Sequence, residues 1–116
     1  MGDVEDLVAE YRRCTVAWAN LPSAEHRKAN RLFEQRHVIQ KELAATDEGR
    51  EALASLMDDE DPDVRASAAA HSLRWSGARA RGVLEAIRDH GPPLRASLSA
   101  RYVLKERDKG RLSFDY

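Results

Sequence analysis

The chain has 116 residues, 42% of them hydrophobic and 34% charged, with a formal net charge of −1. That composition describes a soluble globular chain with one ordinary core, small for an enzyme with an enclosed cleft, and no apolar run approaches the roughly 20 residues of a membrane span. Strand formers are scarce and alanine is abundant, so the expected fold class is all-α.

The first residues, MGDVEDLVAEY, are acidic where an export signal would be basic and then apolar, and Asp6 stands where a myristoylation signal requires Ser or Thr. A cytoplasmic protein is expected, and the single cysteine, Cys14, fits a reducing compartment. Turn and breaker residues at NLPS (20–23), ATDEG (45–49), DDEDP (58–62), SG (76–77), DHGPP (89–93) and DKGR (108–111) divide the chain into six helices. They run at about 3–19, 23–45, 47–58, 61–75, 77–89 and 93–107. Val4, Leu7, Val8, Tyr11, Cys14, Thr15 and Trp18 make one buried stripe in the first. Ala29, Leu32, Phe33, Ile39 and Leu43 do so in the second. Asp3, Ser23, Asp47 and Asp61 are the expected N-caps, and Pro62 takes the first position of its helix, where a missing N–H costs nothing.

Shifting the chain by 30 residues lays VRASAAA (64–70) over LRASLSA (94–100). Arg65, Ala66, Ser67 and Ala70 then match Arg95, Ala96, Ser97 and Ala100, while Leu53 falls on Val83, Met57 on Ile87 and Pro62 on Pro92. The repeating unit is helix–turn–helix, and stacked units of this kind bury one continuous core.

Asp61-Pro62-x-Val64-Arg65, followed by alanines and a leucine, resembles the second-helix signature of HEAT repeats, with the short spacing of the PBS-lyase type. With its two-helix preface the chain also resembles a small bacterial HEAT-like family classed as a domain of unknown function. The resemblance covers most of residues 3–107. It implies a single all-α domain over 1–116, a right-handed α-α superhelix of about three stacked hairpins, HEAT- or armadillo-like. Its parts would be an N-terminal cap at 3–45, repeats at about 46–75 and 76–107, and a tail at 108–116. On a wheel, Val64, Ala68, His71 and Trp75 occupy one face of the fourth helix, and Ala66, Ala69, Ala70 and Leu73 nearly the opposite one. A helix small and apolar on two sides is expected to be sandwiched, because alanine admits close approach and loses little side-chain entropy on burial.

Groups able to carry chemistry read mostly as structure. The acidic run Asp58, Asp59, Glu60, Asp61, Asp63 begins like a calcium loop, but Val64 and Ala70 stand where such a loop needs Gly and Glu. It is expected to cap a helix and complement its dipole. In HEAT-like stacks the arginine matching Arg65 and Arg95 pairs with aspartates between repeats, which implies a structural role for both. His26, His37, His71 and His90 lack metal-ligand spacing, and Cys14 reads as a core thiol. Trp18 and Trp75 read as packing residues, Trp75 also as an anchor for a partner. With no phosphate loop and no nucleophile or zinc motif, the expectation is a non-enzyme with no catalytic residues, metal or cofactor.

Residues 1–63 hold 15 acidic and 8 basic side chains, and residues 64–116 hold 5 and 11. Such asymmetry steers partners, or attracts the two halves to one another. The expected function is a protein–protein interaction module for a partner with an acidic surface. The resemblance implies an adaptor or toxin-neutralising (immunity-like) role. The alternative is nucleic-acid binding through the basic C-terminal half, against which stand the near-neutral total and only 4 lysines. The partner strip expected on the repeats is His71, Arg74, Arg101 and Lys105.

Overall fold

The computed structural model describes residues 3–90 and 94–110, with residues 94–99 as backbone alone. Among them are six α-helices and no strand: α1 (Val4–Ala19), α2 (His26–Ala44), α3 (Asp47–Ser55), α4 (Pro62–Ser72), α5 (Gly77–His90) and α6 (Leu94–Asp108), with a 3-10 turn at Leu56–Asp58. The fold class is all-α. No helix is long and apolar enough to cross a membrane, among the described residues. The chain divides into two compact units, Met1–Leu53 and Ala54–Tyr116. Pro92, the side chain of Arg95 and the tail beyond Gly110 lie outside the described residues.

In the first unit α1 packs against α2. Asp3 caps α1 by accepting the Asp6 amide at 3.0 Å. The stripe expected on α1 buries Tyr11, Cys14 and Thr15, and the Thr15 hydroxyl donates to the Tyr11 carbonyl at 2.9 Å. Burial pushes the Cys14 thiol above its ordinary pKa. Helix α2 starts at His26, with Glu25 at the cap and no side-chain cap bond, so Ser23 lies in the preceding turn instead of capping. Phe33 also departs from expectation. It is exposed, while Ala29, Leu32 and Ile39 are half-buried and, of the expected stripe, Leu43 alone is buried. Its ring stacks on His37 with centroids 6.2 Å apart, and Arg36 lies 5.7 Å above it.

Between α2 and α3 the chain turns sharply. Thr46, not Asp47, caps α3, its hydroxyl accepting the Gly49 amide at 3.0 Å. Arg50 donates to the Ala44 carbonyl at 2.7 Å and so satisfies the end of α2. Gly49 sits so close to the Leu43 backbone that a Cβ there would lie 2.8 Å from Leu43 C and Cα, and nearer still to its carbonyl oxygen. The absence of a side chain at Gly49 is what allows this approach.

In the second unit the acidic run is a capping network. Asp59 accepts the Asp61 amide at 2.9 Å, and Asp61 accepts those of Asp63 and Val64 at 2.8 and 3.3 Å. Arg65 donates to the carbonyls of Asp59 and Glu60 at 2.9 and 3.0 Å, so its role is structural, but its partners are backbone carbonyls where carboxylates were expected. Asp58 pairs with Arg79 at 2.6 Å. Helix α4 buries two opposed faces through Val64, Ala66, Ala68, Ala69, Ala70, His71 and Ser72, with Arg65 and Ser67 half-buried, and it packs on α5, α6 and the 3-10 turn. Ala80, Leu84 and Ile87 of α5 and Ala100, Val103 and Leu104 of α6 complete this core.

The charge asymmetry between the halves does not coincide with the units. The acidic run belongs to the second unit, so residues 1–53 carry 10 acidic and 8 basic side chains and residues 54–116 carry 10 and 11. Each unit is close to neutral.

Candidate interaction face

Helix α6 repeats α4 in sequence but not in burial. Ala70 and Ala100 are both buried, as are Leu73 and Val103. At the positions between and beyond these pairs the two copies diverge. His71 is buried at 2% exposure while its counterpart Arg101 is exposed, and Ser72 is fully buried while Tyr102 is 60% exposed. The reverse exchange occurs at Arg74, which is exposed, and Leu104, which is buried. Two local facts explain this. Helix α4 stops at Ser72, so Arg74 lies in the turn that follows and the wheel no longer governs its direction. Helix α6 runs on to Asp108 and buries one side only, Ala100, Val103 and Leu104, among its described side chains.

The side of α6 left to solvent carries a defined chemistry. At about 100° per residue, Arg101, Lys105 and Tyr102 share one side of the helix, and Lys109 follows one turn beyond Lys105. All four are exposed. The Lys109 amide bonds the Lys105 carbonyl at 3.2 Å, which keeps the last turn in register. An exposed tyrosine between cations offers a rigid amphipathic surface and donors to an acidic partner, the composition in which interface anchors concentrate. Acidic groups border it. The Arg88 guanidinium, bonded to Asp89 at 2.8 and 3.1 Å, holds the Asp89 carboxyl below its ordinary pKa, with Arg101 a smaller contributor. The Asp108 carboxyl is likewise lowered by its bidentate bond to Arg81 at 2.8 and 3.1 Å, which ties the end of α6 to α5.

Of the expected strip, the structure therefore brings Arg101 and Lys105 together. It withdraws His71, because the core of the second unit encloses the imidazole. It sets Arg74 in the turn after α4, where the guanidinium lies 5.3 Å above the Trp75 ring. Tyr102 and Lys109 were missed. The 30-residue shift lays Tyr102 over Ser72, which the structure buries in α4. The signal in the sequence was the lone aromatic between Arg101 and Lys105, next to the apolar pair Val103–Leu104. No group of three or more His, Cys, Asp or Glu that could hold a metal ion occurs among the described residues.

Among solved structures, the chain is similar to the protein RPA1889 from Rhodopseudomonas palustris CGA009. The two are 32% identical, the match covers 95% of this chain and 92% of that one, and the TM-score is 0.84. No curated protein matches the chain. A family described as a domain of unknown function, DUF2019, matches residues 5–108. By the extent of that match, this chain belongs to the DUF2019 family.

Proposed function

We propose that this chain is a non-enzymatic protein–protein interaction module of the cytoplasm, built as a short HEAT-like stack of helical hairpins, with an adaptor or immunity-like role. The repeat reading is supported by the 30-residue self-match and by an α4 that buries two opposed faces, as an inner helix of a stack would. The observation that carries the functional reading is the exposed side of α6, where Tyr102 at 60% exposure stands with Arg101, Lys105 and Lys109. Such a face fits a partner with an acidic surface, the tyrosine supplying contact area and the cations supplying steering.

The test begins with a pull-down from the native host, read by mass spectrometry, and continues by surface plasmon resonance with the protein recovered. Reversing Arg101 and Lys105 to Glu leaves the fold intact, because neither side chain enters the core, and slows association most at low salt. Tyr102→Ala speeds dissociation instead. Wild-type binding by both variants at two ionic strengths refutes the assignment. The same tyrosine and cations also suit single-stranded nucleic acid, by stacking and phosphate contact. Salt-dependent retention on heparin that is lost in the double reversal would favour that second reading.

A further inference from the structure

On the exposed side of α6, Arg101, Lys105 and Lys109 stand in one row, each four residues from the next. Along the axis they are about 6 Å apart, and each step turns about 40°, so the row winds toward the side where Tyr102 stands. Among the described residues no ion pair or side-chain hydrogen bond holds any of the three cations. The acidic groups beside the row are already engaged. Asp108, about 20° from Arg101 around the helix, accepts the Arg81 guanidinium on both oxygens at 2.8 and 3.1 Å. Asp89, which feels the charge of Arg101, accepts Arg88 on both of its oxygens at 2.8 and 3.1 Å. Glu106 lies beyond Tyr102 and is half-buried. The arginines of α5 thus take the neighbouring carboxylates and leave the charge of the row unmatched among the described residues.

An exposed row of cations attracts any acidic surface, and its geometry selects among them. Side chains four residues apart form an oblique ridge, and a ridge of this kind seats in the groove between the ridges of a second helix. Carboxylates at every fourth residue of that helix repeat at the same spacing of about 6 Å and meet the three cations in register. An extended acidic segment repeats its side chains at about 6.8 Å, also within reach. It would, however, lay backbone N–H and C=O groups against a helix that has no backbone groups to offer them, whereas a helix satisfies its own. Tyr102, 60% exposed, offers its ring to an apolar side chain beside the carboxylates. We propose that the α6 face docks an acidic α-helix of a partner protein, its carboxylates on Arg101, Lys105 and Lys109 and an apolar side chain against Tyr102. This inference rests on the interaction role proposed above and names the element that the role requires.

The test is an NMR titration of the full chain, followed by its amide shifts, with synthetic alanine-rich peptides of about 20 residues, long enough to form a helix. One peptide carries three glutamates four residues apart with a leucine beside the row. A second has the same composition with the glutamates spread around the helix, and a third keeps the first spacing but carries prolines that forbid a helix. The first is expected to shift the amides of Arg101, Tyr102, Lys105 and Lys109. It is expected to bind about tenfold tighter than the other two at low salt, an advantage that shrinks as salt is added. Reversing both Arg101 and Lys105 to Glu is expected to abolish that binding and to create binding of the first peptide rewritten with lysines, an exchange that loss of structure cannot produce. Tyr102→Ala is expected to weaken the first peptide about threefold while its salt dependence remains. Equal affinity for the first and second peptides, or for the first and third, overturns the helix and leaves the acidic partner standing. No shift on α6 with any of the three also overturns the helix, and the interaction role falls with it only if the native partner binds the double reversal as it binds wild type. A single-stranded oligonucleotide that shifts the same amides at lower concentration than every peptide overturns both in favour of nucleic acid.

Discussion

Replacing Gly49 by alanine sets two effects of opposite sign against each other. Glycine inside a helix costs about 1 kcal/mol relative to alanine, so propensity alone makes the substitution stabilising. The structure predicts the opposite. The new Cβ would lie 2.8 Å from Leu43 C and Cα, and closer to the carbonyl oxygen, all backbone atoms of α2 that cannot rotate away. Helix α3 would have to withdraw. That would strain the Thr46 cap at 3.0 Å and the Arg50 bond to the Ala44 carbonyl at 2.7 Å. Overpacking against a rigid neighbour costs about 1–3 kcal/mol or more, and a weakened cap adds about 1 kcal/mol. After subtracting the propensity gain, the net loss is about 1–3 kcal/mol, or about 4–12 °C in Tm for a chain of this size. Gly82→Ala is the control, since nothing beyond its chain neighbours and its own helix backbone lies within 4 Å of a Cβ there and the same propensity gain of about 0.5–1 kcal/mol is unopposed. Thermal melts followed by far-UV circular dichroism separate the cases. A Gly49→Ala variant melting at or above wild type refutes the close approach of α2 and α3.

Ala69→Leu, at a fully buried site of α4, is expected to cost about 1–3 kcal/mol in a denaturant titration, whereas Ser67→Leu at a half-buried one costs less than half as much; equal losses would mean that α4 is not enclosed. Asp61→Ala removes the acceptor of two amides and is expected to lower stability by about 1 kcal/mol. Micromolar calcium is expected to leave the wild-type Tm unchanged, because Asp59 and Asp61 already accept backbone amides. The Cys14 thiol has its pKa raised by burial in the folded state, so its contribution to stability is present below the unfolded thiol pKa and is lost as pH rises toward the folded one. Labelling by a thiol reagent at mildly alkaline pH should therefore be much slower in the folded chain than in urea, and equal rates would place Cys14 outside the core.

Local chemistry made much of the fold legible before any tertiary information. The six helices are set by short-range rules: breakers at each turn, aspartates at Asp3 and Asp61 whose carboxylates reach amides two or three residues on, and a proline at the one helical position that needs no N–H. The enclosure of α4 was legible too, since small apolar residues on two opposed faces are both shielded from water only when a neighbour covers each. What depended on packing was not. Sequence adjacency does not say that Thr46 and not Asp47 points its oxygen at the Gly49 amide, or that Gly49 is small because the Leu43 backbone stands against it. The candidate face shows the same division. Arg101 and Lys105 could be paired by their spacing of four, but the order of residues does not say that His71 is enclosed, that Arg74 lies in a turn beyond α4 or that Tyr102 is exposed. A repeat preserves the intrinsic preferences of its residues, while burial is decided by which neighbours each copy meets, and α4 and α6 meet different ones.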